Sequence, residues 1–145
     1  MQPRRARKVG RFSIEFEVAN NDDLAAAKRG FIDASEVRRL TIRGVVDSGA
    51  TRLVLPQSVA KQLGLEPAGK VKVRYADRRT GQLDKVEGVH VEIQGRRGTF
   101  TAAVEPRRRS ALIGAIVLED LDFLVDCTLQ KLVPRDPKYV VSELE

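Results

Sequence analysis

Apolar residues in this chain recur at every second position in short runs broken by turn residues, and long helical periodicity is absent. Phe12, Ile14, Phe16 and Val18 alternate with Ser13, Glu15 and Glu17, the period of a half-buried strand. Val37 to Ile42 reads as a further strand, turning at Arg43-Gly44 into Val45-Val46. Val71, Val73 and Tyr75 alternate with Lys72 and Arg74, and a return strand begins at Leu83 after a polar turn at Asp77 to Gly81. Val89, Val91 and Ile93 alternate with His90 and Glu92; Gly95-Arg96-Arg97-Gly98 is expected to reverse the chain into Phe100, Ala102 and Val104. Helical segments are brief. Leu24 to Lys28 follows the capping residues Asn20-Asn21-Asp22 and ends at Gly30 in the left-handed conformation. Gln57 to Gln62 starts from the fixed φ of Pro56 and closes at Gly64, and Ile116 to Phe123 follows Gly114. No internal repeat is present. The pattern predicts a mainly β fold, a small barrel with one or two short helices.

A chain of 145 residues makes about one domain and can bury a real core. Hydrophobic residues at 42% and charged residues at 32% suit a globular protein, with a core resting on Val, Leu, Ile and Ala because aromatics are few. The net charge of +6 is carried mostly by arginine. Arg4, Arg5, Arg7 and Lys8 form a basic arm over residues 1 to 8, expected to be disordered, and Arg107-Arg108-Arg109 form a second cluster. Such clusters can hold phosphate backbones, with affinity falling steeply in salt, but no aromatic residues interleave them, so a solvated surface is favoured over nucleic acid. Cys127 is the only cysteine, which excludes an intrachain disulfide and points to a reducing compartment. With only His90 beside it in the metal-ligating classes that favour zinc, Cys127 reads as a small packed hydrophobe rather than a ligand. Glu119, Asp120, Asp122 and Asp126 lack ligand spacing; Asp120 and Asp122 read as solvated and Asp126 as structural at a strand end. No metal or other cofactor is expected. No run approaches a membrane span and no apolar leader follows the basic arm, so a cytoplasmic location is expected.

The candidate chemistry lies at Val45-Val46-Asp47-Ser48-Gly49-Ala50-Thr51. Two β-branched residues deliver a lone carboxylate onto a turn made by a small hydroxyl residue and a glycine, which holds the acid rigidly at a strand end with one face open to a ligand. An Asp-Ser-Gly triplet alone is more often an ordinary turn. Here it is followed by Leu53-Val54-Leu55-Pro56, a short helix and Leu63-Gly64-Leu65, and later by Leu112-Ile113-Gly114 opening a helix with Leu118. Phe123-Leu124-Val125-Asp126 and Lys131-Leu132-Val133-Pro134 close the series.

In that order these segments resemble the retropepsin-like (retroviral-type) aspartic proteases, as a single-domain bacterial or cellular member, over roughly residues 10 to 136. The resemblance implies a retropepsin-like closed β-barrel, bounded at residues 9–136, with its active site formed at a homodimer interface. It implies an aspartic endopeptidase in which a pair of Asp47 carboxylates, one from each chain, activates a water against a peptide bond. Two carboxylates in contact share one proton, so one serves as base and the other as acid, the established chemistry of this class. Only one such acid motif is present, so the second must come from another copy across a twofold axis. Ser48 would brace the partner's loop, Gly49 would admit the substrate backbone, Ala50 would line a side-chain pocket, and Thr51 would anchor loop or substrate. Leu112, Ile113 and Gly114 would pack under the active loop. The segment from Val73 to Val86, with Tyr75, Ala76 and Asp77 at its tip, is the expected flap over an extended peptide or protein substrate. Residues 137–145 form a tail in which Lys138-Tyr139-Val140-Val141 could add a dimer strand.

Three positions depart from the retroviral pattern. Ala115 stands where those enzymes place arginine, Thr51 stands where they carry an acid, and the flap tip is polar rather than glycine-rich. The bracing of the domain and the substrate contacts must therefore differ. A catalytically silent barrel that binds peptide or protein is the alternative, separated from a peptidase by whether Asp47→Asn abolishes cleavage.

Overall fold

The alternating Phe12–Val18 segment forms the strand that closes the sheet on itself. A computed structural model describes residues 11–145; the basic arm with Arg4, Arg5, Arg7 and Lys8 lies outside the described residues. The chain runs β1 (Arg11–Asn20), α1 (Asn21–Lys28), a single 3-10 turn (Ala34–Glu36), β2 (Arg39–Asp47), β3 (Leu53–Pro56) and α2 (Gln57–Gln62). It continues through β4 (Pro67–Arg74), β5 (Thr80–Ile93), β6 (Arg96–Glu105), β7 (Ala111–Ile113), α3 (Ala115–Asp120), β8 (Phe123–Asp126) and β9 (Lys131–Pro134). Strand order β1-β2-β7-β3-β6-β5 returns to β1 through Val18↔Val91 and its neighbours, closing six strands into a barrel and leaving β4 on its outside edge. The pairs β2–β7 and β3–β6 are parallel and the others antiparallel. This is the mainly β, retropepsin-like barrel with few short helices that the sequence implies.

The period-two pattern sends one set of side chains inward. Val18, Val46, Leu55, Val89, Val91 and Ile113 keep no exposed surface, and each such burial contributes about 1.5–3 kcal/mol. Strand β5 is long because it serves two partners. Its first half pairs with β4, its second half enters the barrel, and a register shift between Val86 and Val89 bends it from one task to the other.

Helices α1 and α2 start and stop where their capping residues place them. The Asn20 side chain accepts from the Asp23 amide at 3.0 Å, and Gly30 and Gly64 take φ of +82° and +67°. Four other expectations are corrected. Strand β2 begins at Arg39 and runs straight through Arg43-Gly44 with no turn, Gly44 pairing with both Ile14 and Ala111. Gly44 is small for want of space: a Cβ there would sit 2.6 Å from Phe16 Cε1. The β5–β6 reversal is a two-residue turn at Gln94-Gly95, both at positive φ, so Arg96 to Gly98 already belong to β6. Helix α3 ends at Asp120, three residues before Phe123, because Asp122 takes φ of +62° and Phe123 opens β8.

Asp122 is also not solvated. It is buried, accepts the Arg135 guanidinium at 2.7 Å and the Val141 amide at 2.9 Å, and so ties the C-terminal segment to the end of α3. Asp126 caps the β8–β9 turn by accepting from the Leu129 amide at 2.9 Å. The Val141 amide, followed by the Arg135 guanidinium, holds the Asp122 carboxyl below the usual aspartate value. A carboxylate depressed in the folded state contributes stability above its ordinary value, lost as pH falls through the lower folded value. The protection of the Val141 amide, measured against its intrinsic exchange rate at the same pH, should therefore fall below about pH 4, and at neutral pH in Asp122→Asn. Hydrogen exchange reads both; protection that persists in the variant would show that the tail is held by other contacts.

Candidate active site

Asp47 is the last residue of β2, and its position follows from two neighbours. Val46 is fully buried and pairs with Ile113 of β7, so the strand end is pinned in the core while the next residue emerges at the surface. The chain then turns on itself. The Asp47 carboxylate accepts from the Gly49 amide at 3.0 Å and its carbonyl from the Ala50 amide at 3.1 Å, an Asx-type turn that fixes the acid against its own loop. Ser48 and Gly49 are exposed, and Asp47 is half-buried.

A second contact to Asp47 was invisible in the motif. Arg11 lies opposite Asp47 in the β1–β2 ladder, and its Nε stands 3.3 Å from Asp47 Oδ2. Alternation would have put Arg11 on the outward face of β1, but it gives no register and hence no partner across the ladder.

The segment Leu112-Ile113-Gly114 does lie under this loop, and the geometry shows how. β7 is inserted between β2 and β3, with Leu112 opposite both Val45 and Val54. Gly114 then runs against the loop backbone: a Cβ there would fall 2.7–2.8 Å from Arg52 O, Ala50 O and Arg52 N. The next two amides close a clasp, Ala115 N donating to Ala50 O at 2.8 Å and Ile116 N to Thr51 O at 2.9 Å. Bracing of the loop is thus carried by the main chain at Ala115, a position that needs no arginine for it.

The β4–β5 hairpin overhangs the loop. A cleft of about 400 Å³ lies between them, lined by Gly49, Ala50, Thr51, Arg52, Val54 and Leu112 on one side and Val71, Val73, Tyr75 and Leu83 on the other. Tyr75 reaches this cleft and donates its hydroxyl to Glu105 at 2.9 Å, tying the hairpin to the end of β6. That bond to a carboxylate raises the phenol above its usual value. Ala76 and Asp77 do not line the cleft; both are exposed at the hairpin tip, where Asp77 accepts from the Arg79 guanidinium and then its amide, which together hold it below the ordinary aspartate value. Of the basic cluster, Arg108 forms part of the cleft wall, while Arg107 and Arg109 are exposed. Arg52, Glu105 and Arg108 carry no motif, and only the folded wall gathers them. Among the described residues, no three His, Cys, Asp or Glu side chains gather as a metal site would require. No helix among them is long and apolar enough to cross a membrane.

A family model described as aspartyl protease matches residues 34–126, from the 3-10 turn before β2 to the end of β8, more than half of the chain. The chain belongs to the aspartyl protease family. The matched span contains the Asp47 loop, the overhanging hairpin and the Gly114 clasp, so the general function is that of a protease, a hydrolase of peptide bonds. No curated protein gives a significant match.

The clasp predicts a specific sensitivity. Gly114→Ala must push the Ala50–Arg52 backbone aside, and a displacement of about 1 Å at reacting groups can cost about a hundredfold in rate. Peptide cleavage should fall by that order while circular dichroism retains the β-sheet signal. An unchanged rate would show that the loop has room to yield.

Proposed function

We propose that the protein is a homodimeric aspartic endopeptidase in which two Asp47 carboxylates, one from each chain, activate a water molecule against the scissile carbonyl. The observation that carries this reading is a single acid, fixed by its own turn on an exposed Ser48-Gly49 loop, at the edge of a cleft roofed by a hairpin. One chain supplies only one such acid, and proton sharing between carboxylates needs two. A twofold axis through the loop meets that need, and the exposure of Ser48 and Gly49 suits a surface that receives its own copy.

In this reading Ser48 braces the partner's loop and Gly49 leaves space for the substrate main chain. Ala50 and Thr51 border the cleft, and the apolar stripe of Val71, Val73 and Leu83 faces an extended peptide. Tyr75 holds the hairpin near the barrel through Glu105, so the hairpin acts as a flap whose closed position is hydrogen-bonded.

The C-terminal segment supports the dimer. Tyr139, Val140 and Val141 are 68%, 47% and 39% exposed although the main chain around them is tethered by Asp122 and Arg135. Apolar side chains on an anchored segment outside the barrel suit an intermolecular strand. Sedimentation of a chain truncated after Asp136 should show monomers, and an intact dimer would remove the tail from the interface. For the chemistry, Asp47→Asn should lower cleavage of an unstructured protein by about a hundredfold to ten-thousandfold, the span of general acid–base catalysis, with the dimer retained. A variant that cleaves at the original rate would end the peptidase reading; a variant and an original that both bind peptide without cutting it would favour a silent recognition module.

A further inference from the structure

The cleft beside Asp47 has an apolar floor and an unbalanced wall. Four cationic residues border it, Arg52, Lys72, Arg74 and Arg108, against one carboxylate, Glu105. Glu105 is already engaged, since its Oε2 accepts the Tyr75 hydroxyl at 2.9 Å. Among the described residues none of the four cations has a carboxylate within ion-pair distance.

The four are not equivalent. Lys72 and Arg74 alternate with Val71 and Val73 on β4, so their side chains stand exposed on the outer face of the hairpin and contribute field rather than contact. Arg52 and Arg108 are half-buried at the cleft itself, one just after the Asp47 loop and one after β6. Arg108 is also held in place: its Nε donates to the Ser110 carbonyl at 2.9 Å, leaving the two terminal nitrogens without an acceptor among the described residues. A guanidinium already positioned loses less freedom when it meets a carboxylate.

We propose that this cleft selects acidic peptides, with apolar residues at the bond to be cut and Asp or Glu side chains beside them, read by Arg52 and Arg108. The proposal rests on the peptidase reading of the cleft and deepens it by naming the substrate class. An acidic side chain would give both arginines the partner that the chain itself withholds, and the valine and leucine floor would bury the apolar neighbours. In a symmetric dimer each chain repeats the same wall, so acids are favoured on both sides of the scissile bond. A single-stranded nucleic acid is a poorer fit. It wants stacking faces, and Tyr75, the one ring on the wall, is covered by the Arg79 guanidinium at 4.7 Å.

Three peptides sharing one apolar centre, flanked by Glu, Gln or Lys, test this with the full chain. Cleavage efficiency should rank Glu over Gln over Lys, by roughly fivefold per charge as for a part-exposed ion pair, and the ranking should compress as salt is added. In the Arg52→Gln, Arg108→Gln double variant the Glu-to-Gln ratio should collapse to about one, and Arg52→Lys with Arg108→Lys should restore part of it. Fluorescence anisotropy of the same peptides on Asp47→Asn should give the same order without chemistry. If nothing is cut but Glu-flanked peptide binds best through the arginines, the peptidase reading fails and the acidic selectivity stands. Equal rates and affinities for the three peptides, a ratio unchanged in the double variant, or tighter binding of a single-stranded oligonucleotide would overturn it.

Discussion

The clasp between Gly114 and the Ala50–Arg52 backbone is the constraint on which the rest depends. The loop that follows Asp47 is exposed at Ser48 and Gly49, and exposed loops move. Here two main-chain hydrogen bonds, from Ala115 to Ala50 and from Ile116 to Thr51, hold the loop from below at 2.8 and 2.9 Å. They can form only because residue 114 has no Cβ. The clasp in turn needs β7 between β2 and β3, where Ile113 is fully buried and Leu112 touches both neighbours. Barrel core, inserted strand, glycine and acid thus form one mechanical chain.

Closure of the barrel explains how a small β protein can leave a hairpin free. Six strands have no unpaired edge among themselves, so β4 and the first half of β5 are released from sealing the core and can overhang the cleft. Besides the continuation of β5 into the barrel, the hairpin is tied down by the Tyr75–Glu105 hydrogen bond.

The strands were legible because β1, β5 and β6 each keep one face in the core and one in water, and β4 alternates half-buried with exposed residues; the alternation of Phe12 to Val18 or Val89 to Ile93 records that directly. The acid and its clasp were legible as a motif pair. What stayed hidden depended on register or on tertiary meeting. The turn expected at Arg43-Gly44 came from a glycine that serves close packing against Phe16, not chain reversal. Asp122 looked solvated because nothing local announces Arg135 and the Val141 amide, 13 and 19 residues away. Arg11 reaches Asp47 through strand pairing, and Arg52, Glu105 and Arg108 share a wall only once the hairpin has folded over it. A contiguous motif could be read from the chain; a cleft wall assembled from scattered residues could not.

The most direct measurement is a crystal structure of the assembled protein, read at the two Asp47 side chains. Carboxylate oxygens of two subunits within about 2.5–3.0 Å of each other across a twofold axis, the distance of a shared proton, are the expected result. A solitary subunit, or a dimer that keeps those oxygens farther apart than one bridging water can span, would contradict hydrolysis by paired acids.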